Sequence, residues 1–285
     1  MSKSAEIGQR IRHLVELEEI IGTMRSLAGV RVQQAHATLP GIRQYTESID
    51  RALAEAYPLL PTTDGNEPNI EPHTGIVVLG SEHGFVGLYN ERLVDTVGEL
   101  LAAAPDSTVL LVGSRAVEHA RERGVTVAWS CPMATHVESV VDITSGLAEE
   151  VYRRVARGEF HRLFLVYARS APGLQWQIQA EQVLPFDFTS YRSSEKTPQR
   201  PHHYLDAEEL VERLADEFVF AEFMRATTEA FASENDARLA TMSSAHDNIE
   251  RQIGTMQQSE RVERQAEITL ELLDVITGAE AAEDE

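Results

Sequence analysis

Apolar side chains recur at steps of three and four along the C-terminal part of the chain. No proline interrupts the pattern between Ala207 and Ala279, so it predicts one long helix. The apolar positions form a narrow seam, as in coiled coils, whereas a helix on a globular core has a wider apolar face. A helix with such a seam needs a partner helix. The seam residues are Leu210, Leu214, Phe218, Ala221, Met224, Thr228, Phe231, Asn235, Leu239, Met242, His246, Ile249, Ile253 and Met256.

The start of the chain repeats this spacing and supplies a candidate partner. Its seam consists of Ile7, Ile11, Leu14, Leu17, Ile21, Met24, Leu27 and Val30. We expect a helix from about Ser4 to Tyr57, with a kink or break at Pro40, because proline lacks an N–H and its ring clashes with the preceding turn. Since a long segment separates the two helices, they can pair antiparallel while a domain folds between them.

The middle of the chain has a different period. Short apolar runs predict strands, and amphipathic stretches between them predict helices. The strands are expected over 75–80, 108–112, 125–129, 161–168 and 176–184, and the helices over 91–104, 115–123 and 138–157. This alternation is typical of a largely parallel sheet with right-handed crossovers.

The expected fold class is therefore α/β. It combines a long antiparallel two-helix coiled coil, formed by the chain termini, with a Rossmann-like α/β domain that has a mostly parallel sheet. The predicted organisation is an N-terminal coiled-coil helix over 1–57, a linker over 58–72, the α/β domain over 73–190, a linker over 191–206, and a C-terminal coiled-coil helix over 207–285.

Charge narrows the possible functions. The formal net charge is -21, and residues 207–285 carry six basic and twenty acidic side chains, or -14 of it. Nucleic acid is therefore an improbable partner. Cys131 is the single cysteine, so no internal disulfide is possible. A cytoplasmic location is expected, since the start of the chain lacks the apolar core of a signal peptide. A high-salt cytoplasm and a biased genome both remain possible reasons for the acidity.

The sequence offers no self-contained active site. Gly80, Gly84 and Gly87 lie between a strand and a helix, but their spacing is not that of a dinucleotide fingerprint, so tight-turn geometry is the favoured interpretation. The pair His202-His203 is a weak metal candidate, because the acids that follow it are typical of a helix start. We expect no catalytic residue, no metal and no cofactor.

Several segments share residues with a known family. These are Ile268, Thr269, Glu271, Asp274, Gly278, Ala279 and Ala281 near the C-terminus; the runs 233–242, 245–248 and 264–266; the opening runs 10–12 and 20–28; and, more loosely, the turn 81–90. Together they resemble the gamma subunit of F-type ATP synthases, the central rotor stalk. The resemblance covers essentially the whole chain.

This resemblance implies a rotor shaft without bond chemistry of its own. Such a shaft couples ion translocation through a membrane ring to ATP synthesis or hydrolysis in a catalytic hexamer. The implied partners are the alpha and beta subunits of that hexamer, the epsilon subunit and the membrane c-ring. The implied location is peripheral, on the cytoplasmic face of the plasma membrane, with no cofactor and no nucleic acid.

The resemblance also implies which residues contact the hexamer, and the apolar end of the last helix is expected to enter an apolar sleeve. The implied partner-binding residues are Met24, Arg238, Arg264, Gln265, Thr269, Glu271, Leu273 and Ile276.

Three alternatives remain open at this point. Glu16, Glu18 and Glu19 occupy a stretch that is usually basic in the family, which is compatible with the shaft of a specialised F-type ATPase paralogue, for example one that pumps sodium. A second alternative is a nucleotide-binding enzyme built on the α/β domain. A third is a coiled-coil adaptor unrelated to rotation.

Overall fold

The computed structural model of the chain describes residues 3–60, 73–171, 175–185 and 205–283. They belong to two compact units. The terminal unit combines Met1–Leu27 with Leu239–Glu285, and the central unit is Ala28–Arg238. The predicted linkers 58–72 and 191–206 fall largely outside the described residues, so these boundaries stay predictions.

Two long helices contribute to both units. Helix α1 spans Lys3–Ala56 and helix α5 spans Ala207–Glu283, which confirms both predicted helices. The prediction at Pro40 was a kink or a break. The break is wrong, because α1 continues through Pro40, and the kink stays a prediction. Pro40 lies on the exposed face of the helix, where water can satisfy the carbonyl that it leaves unpaired, and its neighbours Ala35 and Leu39 are fully packed. Packing on one face therefore offsets the local defect.

The two helices pair antiparallel within each unit. In the terminal unit Lys3 forms an ion pair with Glu263, whereas Glu18, further along α1, approaches the earlier residue His246. The central unit shows the same order. His36 of α1 approaches Asp236 of α5, and Arg43, further along α1, pairs with the earlier residue Glu229. The seam of the terminal unit is buried at Met242, Ile249 and Ile253. The predicted antiparallel coiled coil is thus confirmed.

The central unit contains a five-stranded sheet. Its strands are β1 Thr74–Leu79, β2 Thr108–Val112, β3 Val127–Cys131, β4 Arg162–Ala171 and β5 Gln175–Leu184. Their order is β3-β2-β1-β4-β5, and only β5 runs antiparallel to its neighbour. The connecting helices are α2 Tyr89–Ala103, α3 Ser114–Glu122 and α4 Val140–Ala156, with short 3-10 turns at Tyr57–Leu59 and Val137–Ser139.

Both faces of the sheet are covered. Alternate residues of β1 point to opposite faces, as the pleat requires, so Ile76 and Val78 pack with α2 and α3. Val77 and Leu79 pack on the other face, in the core that α4 shares with α1 and α5. This double covering explains why β1 is one continuous apolar run.

The middle of α5 is buried on every side, which differs from the narrow seam predicted for it. Each residue over 226–238 is buried. The alanines Ala226, Ala230 and Ala232 join a core that contains Ala35 of α1 and Tyr167 of β4. Small side chains let helix and sheet approach from opposite sides, so this stretch has no solvent face.

The described helices include none whose length and hydropathy would suit a membrane-spanning segment.

Candidate partner-binding surfaces

The last described turns of α5 expose apolar side chains on most of their circumference. Successive helix positions are rotated by about 100°, so neighbouring apolar residues point to different sides. Each of six such side chains is more than half exposed: Ile268, Leu270, Leu272, Leu273, Val275 and Ile276. We call this segment, 268–276, the apolar tip. An exposed apolar surface of this kind is typical of an interaction site.

Polar residues precede and interrupt the tip. Arg264, Gln265, Thr269 and Glu271 are all exposed. The Thr269 hydroxyl donates to the Gln265 carbonyl at 2.8 Å, which is a bond within the helix. Among the described residues, the Arg264 side chain has no ion-pair partner. The structure thus places these four predicted contact residues together with Leu273 and Ile276 on one helix end.

Met24 lies apart from that group in sequence, on α1, and is partly buried. Leu17, Ile20 and Leu27 around it are about half exposed. The seam predicted for α1 is therefore wrong at Leu17, Leu27 and Val30, which are exposed and form an apolar surface besides the one that α1 uses for α5.

The turn that follows β1 presents a third apolar surface. Ser81 and Asn90 close the turn, because Ser81 N donates to Asn90 Oδ1 at 3.1 Å and Asn90 Nδ2 donates to Ser81 Oγ at 2.7 Å. Between them Phe85 adopts a positive φ of 62° and is 64% exposed. Leu88 is also exposed. The sequence suggested a turn here but gave no sign that Phe85 points outward.

Two glycines beneath this turn are needed for packing. A Cβ at Gly80 would lie 2.2 Å from the Ala116 Cβ. Gly113 has a φ of 110°, and a Cβ there would lie 2.7 Å from the carbonyl oxygens of Gly80 and Ser81. Gly80 therefore serves the close approach of helix α3. The tight-turn interpretation is supported at Gly87, which has a φ of 58°.

Glu82 ties the turn to the neighbouring strands. Its carboxylate accepts hydrogen bonds from Ser114 N at 3.0 Å and Met133 N at 2.8 Å. Burial alone would raise the pKa of Glu82, but these bonds outweigh it and hold the pKa below its ordinary value. The carboxylate thus stays charged and fixes the carboxyl edge of the sheet.

Arg238 stands apart from the other predicted contact residues, because its side chain is buried. It donates to the carbonyl oxygens of His83 at 3.2 Å and Gly84 at 3.3 Å, and it pairs with Glu234 Oε1 at 2.6 Å. Burial raises the pKa of Glu234, an effect that the Arg238 charge opposes. With its guanidinium used inside the chain, Arg238 positions the Phe85 turn instead of reaching outward.

The turn does not resemble a phosphate site. A small cavity of about 200 Å³ lies beside it, and its charged lining consists of Glu91, Glu118, Glu122, Arg115 and His119. Because the acids outnumber the basic side chains, this lining is net negative and would repel a phosphate. The described residues contain no group of His, Cys, Asp or Glu side chains suited to a metal ion. His202 and His203 lie outside the described residues.

Comparison with known proteins gives a consistent result. A family model described as ATP synthase matches residues 3–282. The ATP synthase gamma chain of Heliobacterium modesticaldum is 26% identical over 290 residues, covering 97% of this chain and 98% of that protein. The gamma chain of Exiguobacterium sibiricum is 28% identical over 291 residues, covering 99% of each.

Solved structures share the fold. A chain in the Euglena gracilis mitochondrial ATP synthase (OSCP/F1/c-ring, rotational state 3) superposes with a TM-score of 0.70 at 18% identity, covering 98% of this chain and 94% of that chain. A chain of the Tetrahymena thermophila mitochondrial ATP synthase central stalk and c-ring gives a TM-score of 0.59 at 16% identity, covering 79% of this chain and 99% of that one.

Proposed function

The chain belongs to the ATP synthase family and, within it, to the gamma subunits of the central stalk, and we propose that it works as a rotor shaft without catalytic chemistry of its own. Rotation of the stalk would couple ion flow through a membrane ring to ATP synthesis or hydrolysis in the catalytic hexamer. This function needs a stiff element that reaches other subunits.

The apolar tip is the observation that carries this proposal. Six exposed apolar side chains on a helix end are unfavourable in water, since burying one such side chain is worth about 1.5 to 3 kcal/mol. A sleeve formed by the alpha and beta subunits would cover the tip on all sides. The smooth apolar contact would also let the helix turn within the sleeve.

The other proposed contacts with the hexamer are inferred from the exposure of the side chains. We assign contact with the hexamer to Met24 and to the exposed polar and apolar residues of the α5 end, namely Arg264, Gln265, Thr269, Glu271, Leu273 and Ile276. Arg238 acts indirectly, by holding the turn that presents Phe85. The proposal also includes the epsilon subunit and the c-ring as partners, and a peripheral location on the cytoplasmic face of the plasma membrane.

The test is purification of the tagged chain from its native membrane, with identification of the subunits that accompany it. We expect the hexamer subunits and the ring to copurify with the unaltered chain. Leu273→Asp should reduce the amount of hexamer recovered, because a charged side chain enters the sleeve at a cost.

The isolated Leu273→Asp chain is the control, because Leu273 is half exposed. Its thermal unfolding should match that of the unaltered chain. Full recovery of the hexamer with Leu273→Asp would contradict a buried tip, and absence of ATPase subunits from the unaltered preparation would contradict the proposed function itself.

The alternatives are less well supported. Relatives named ATP synthase gamma chain cover the whole length of this chain, which favours an ordinary synthase subunit over a specialised sodium-pumping paralogue. A nucleotide-binding enzyme is disfavoured by the acidic lining of the cavity beside the Phe85 turn.

A further inference from the structure

Glu229 of α5 is the centre of an ion-pair cluster that joins three elements. Its side chain is 2% exposed. It accepts from Arg43 of α1 at 3.1 Å, from Arg169 of β4 at 2.8 Å, and from Arg225 of its own helix at 3.4 Å. Three guanidinium groups on one carboxylate are far more than is needed to compensate its charge.

The cluster extends onto strand β5 through Tyr167. The Tyr167 hydroxyl receives hydrogen bonds from Arg169 Nη2 at 2.8 Å and Arg225 Nη1 at 2.7 Å, and it donates to Glu181 at 3.0 Å. Arg225 also pairs with Glu181 at 2.7 Å and with Glu222. Helix α5, strand β4 and strand β5 therefore share one continuous polar network.

Three members of the network, Arg169, Arg225 and Glu181, remain charged. Burial would lower the pKa of Arg225 and of Arg169, but their hydrogen bonds to carboxylates outweigh it and raise both values. Burial would raise the pKa of Glu181, and the hydrogen bond from Arg225 reverses this so that the pKa is lowered. These three side chains thus supply fixed charges to the cluster at neutral pH.

An anion-binding role is improbable despite the arginines. Arg43, Arg169 and Arg225 bring three positive charges, and they are already paired with Glu229, Glu181 and Glu222, with Glu47 also at the groove. The net charge of this group is negative. A further anion would have to displace a carboxylate that the chain itself supplies.

The Arg43 side chain reaches from α1 across a groove to Glu229, and we call this side chain the arm. A groove of about 410 Å³ lies between α1 and the sheet side of the central unit, lined by Arg43, Thr46 and Glu47 on one side and by Arg169, Arg225 and Glu229 on the other. Apolar packing joins α1 to the unit on either side of this level, through Leu39 on one side and Leu53 on the other. The Arg43–Glu229 ion pair is the connection that spans the groove.

We propose that Glu229 and its three arginines form a coupling clamp, which transmits torque between the α/β part of the central unit and helix α1. The inference rests on the proposed rotor function. In a rotating stalk, a sliding or twisting contact across an open groove would absorb motion elastically. A buried carboxylate that Arg169 and Arg225 hold in place resists such displacement, because movement of α1 would pull Arg43 away from a fixed opposite charge. These residues act as positioning residues.

The test uses the whole complex, purified from its native membrane and reconstituted in vesicles. Arg43→Gln removes the arm that spans the groove, while Arg43 is half exposed, so the fold should tolerate the change. We expect ions translocated per ATP hydrolysed to fall by about twofold to tenfold, with ATP hydrolysis and subunit composition unchanged. Arg43→Lys keeps the charge and should restore most of the ratio. Glu229→Gln should show the larger loss.

Arg213→Gln is the matched control, because Arg213 lies on α5, the helix of Glu229, and within the described part of the chain its ion-pair partner is Glu209, one turn away. Its translocation ratio should equal that of the unaltered complex. Raised salt should lower the ratio in the unaltered complex, by screening the half-exposed arm, and should have less effect in Arg43→Gln.

Three results would overturn the clamp: an unchanged ratio in both Arg43→Gln and Glu229→Gln, a parallel fall of hydrolysis and translocation, or an equal fall in Arg213→Gln. If Glu229→Gln fails to assemble, Arg43→Gln and Arg43→Lys still decide the question. Failure of the unaltered chain to copurify with ATPase subunits would instead reject the rotor function, which keeps the two failures distinct.

Discussion

Charged side chains inside the buried stretch of α5 are compensated in different ways. Glu229, Glu234 and Asp236 are each 2% exposed. Glu229 has three arginines, Glu234 has Arg238, and Asp236 has a short hydrogen bond from the Ser170 hydroxyl with His36 3.8 Å away. Since removing one partner of a buried pair strands the other charge, substitutions at these positions should have very different costs.

Arg238→Gln is expected to lower the free energy of unfolding by about 3 to 5 kcal/mol, because it leaves the Glu234 carboxyl group buried without its cation. It also removes two hydrogen bonds to the Phe85 turn. Urea unfolding of the isolated chain measures the loss. The double variant Glu234→Gln with Arg238→Gln should recover part of it, since no buried charge remains. A double variant less stable than the single one would contradict this account.

Asp236→Asn should have the opposite effect on stability, because it should raise the free energy of unfolding at neutral pH. Burial raises the pKa of Asp236, an effect that the Ser170 bond and His36 oppose. A raised pKa in the folded state means that the charged form disfavours folding, at a cost fully present above the folded pKa and absent below the unfolded value near 3.8. The variant should therefore unfold at a higher temperature at pH 7.

The gain from Asp236→Asn should shrink as the pH falls through the folded pKa of Asp236 toward the unfolded value. Thermal unfolding of both chains between neutral pH and pH 4 measures this convergence. Glu222 is a suitable comparison, because its carboxylate is paired with Arg225, so Glu222→Gln should not stabilise the chain at pH 7. An Asp236→Asn chain less stable than the unaltered one at pH 7 would refute the assignment.

At the scale of helices and strands, most of the fold could be predicted from the spacing of apolar residues in the sequence. Periods of three and four residues predicted α1 and α5 to within a few residues, and the β2 prediction over 108–112 agrees with the structure. The antiparallel pairing followed from two matching seams. The break predicted at Pro40 does not occur. Burial of Ala35 and Leu39 outweighs the low helix propensity of proline at this position.

The candidate site was less predictable, for physical reasons. The exposed tip could be anticipated from apolar residues on several faces of one helix. The buried stretch of α5 could not, because Glu229 and Arg238 look like surface residues until their partners, distant in sequence, are known. The outward position of Phe85 depends on a positive φ between two glycines, which the residue type itself disfavours.

Position 254 tests helix continuity without disturbing the core. Gly254 lies inside α5, and an added Cβ would meet nothing within 4 Å. Gly254→Ala should raise the free energy of unfolding by roughly 0.5 to 1 kcal/mol. Gly254→Pro should lower it by about 3 kcal/mol or more, through a lost N–H and a clash with the preceding turn. Urea unfolding of the two variants gives a comparison at one site.

The two Gly254 variants should also differ in the assembled complex. Gly254→Pro should impair coupled ATP synthesis if α5 transmits rotation, whereas Gly254→Ala should leave synthesis unchanged. Normal synthesis with Gly254→Pro would show that an unbroken helix is not required here, whatever the outcome in urea.

At the scale of the whole chain, excess negative charge is the dominant electrostatic property. The net charge is -21, with 46 acidic against 25 basic residues. The ion pairs described above use internal partners, and many other acids on the long helices are exposed, among them Glu16, Glu19, Glu250 and Glu271. Repulsion among unpaired exposed charges opposes the folded state, and salt screens it.

We therefore expect the thermal unfolding temperature of the isolated chain to rise as KCl increases from low concentration to about 0.5 M, where the Debye length falls to a few ångström. Surface ion pairs weaken under the same conditions, but each contributes roughly 1 kcal/mol at most, so screening of the larger unpaired excess should prevail. Replacing Glu16, Glu19, Glu250 and Glu271 by glutamine should flatten the dependence, since all four are exposed. Chloride is the appropriate salt, because sulfate also strengthens apolar burial. An unfolding temperature that falls with KCl would mean that the ion-pair network, including the Glu229 clamp, outweighs self-repulsion in this chain.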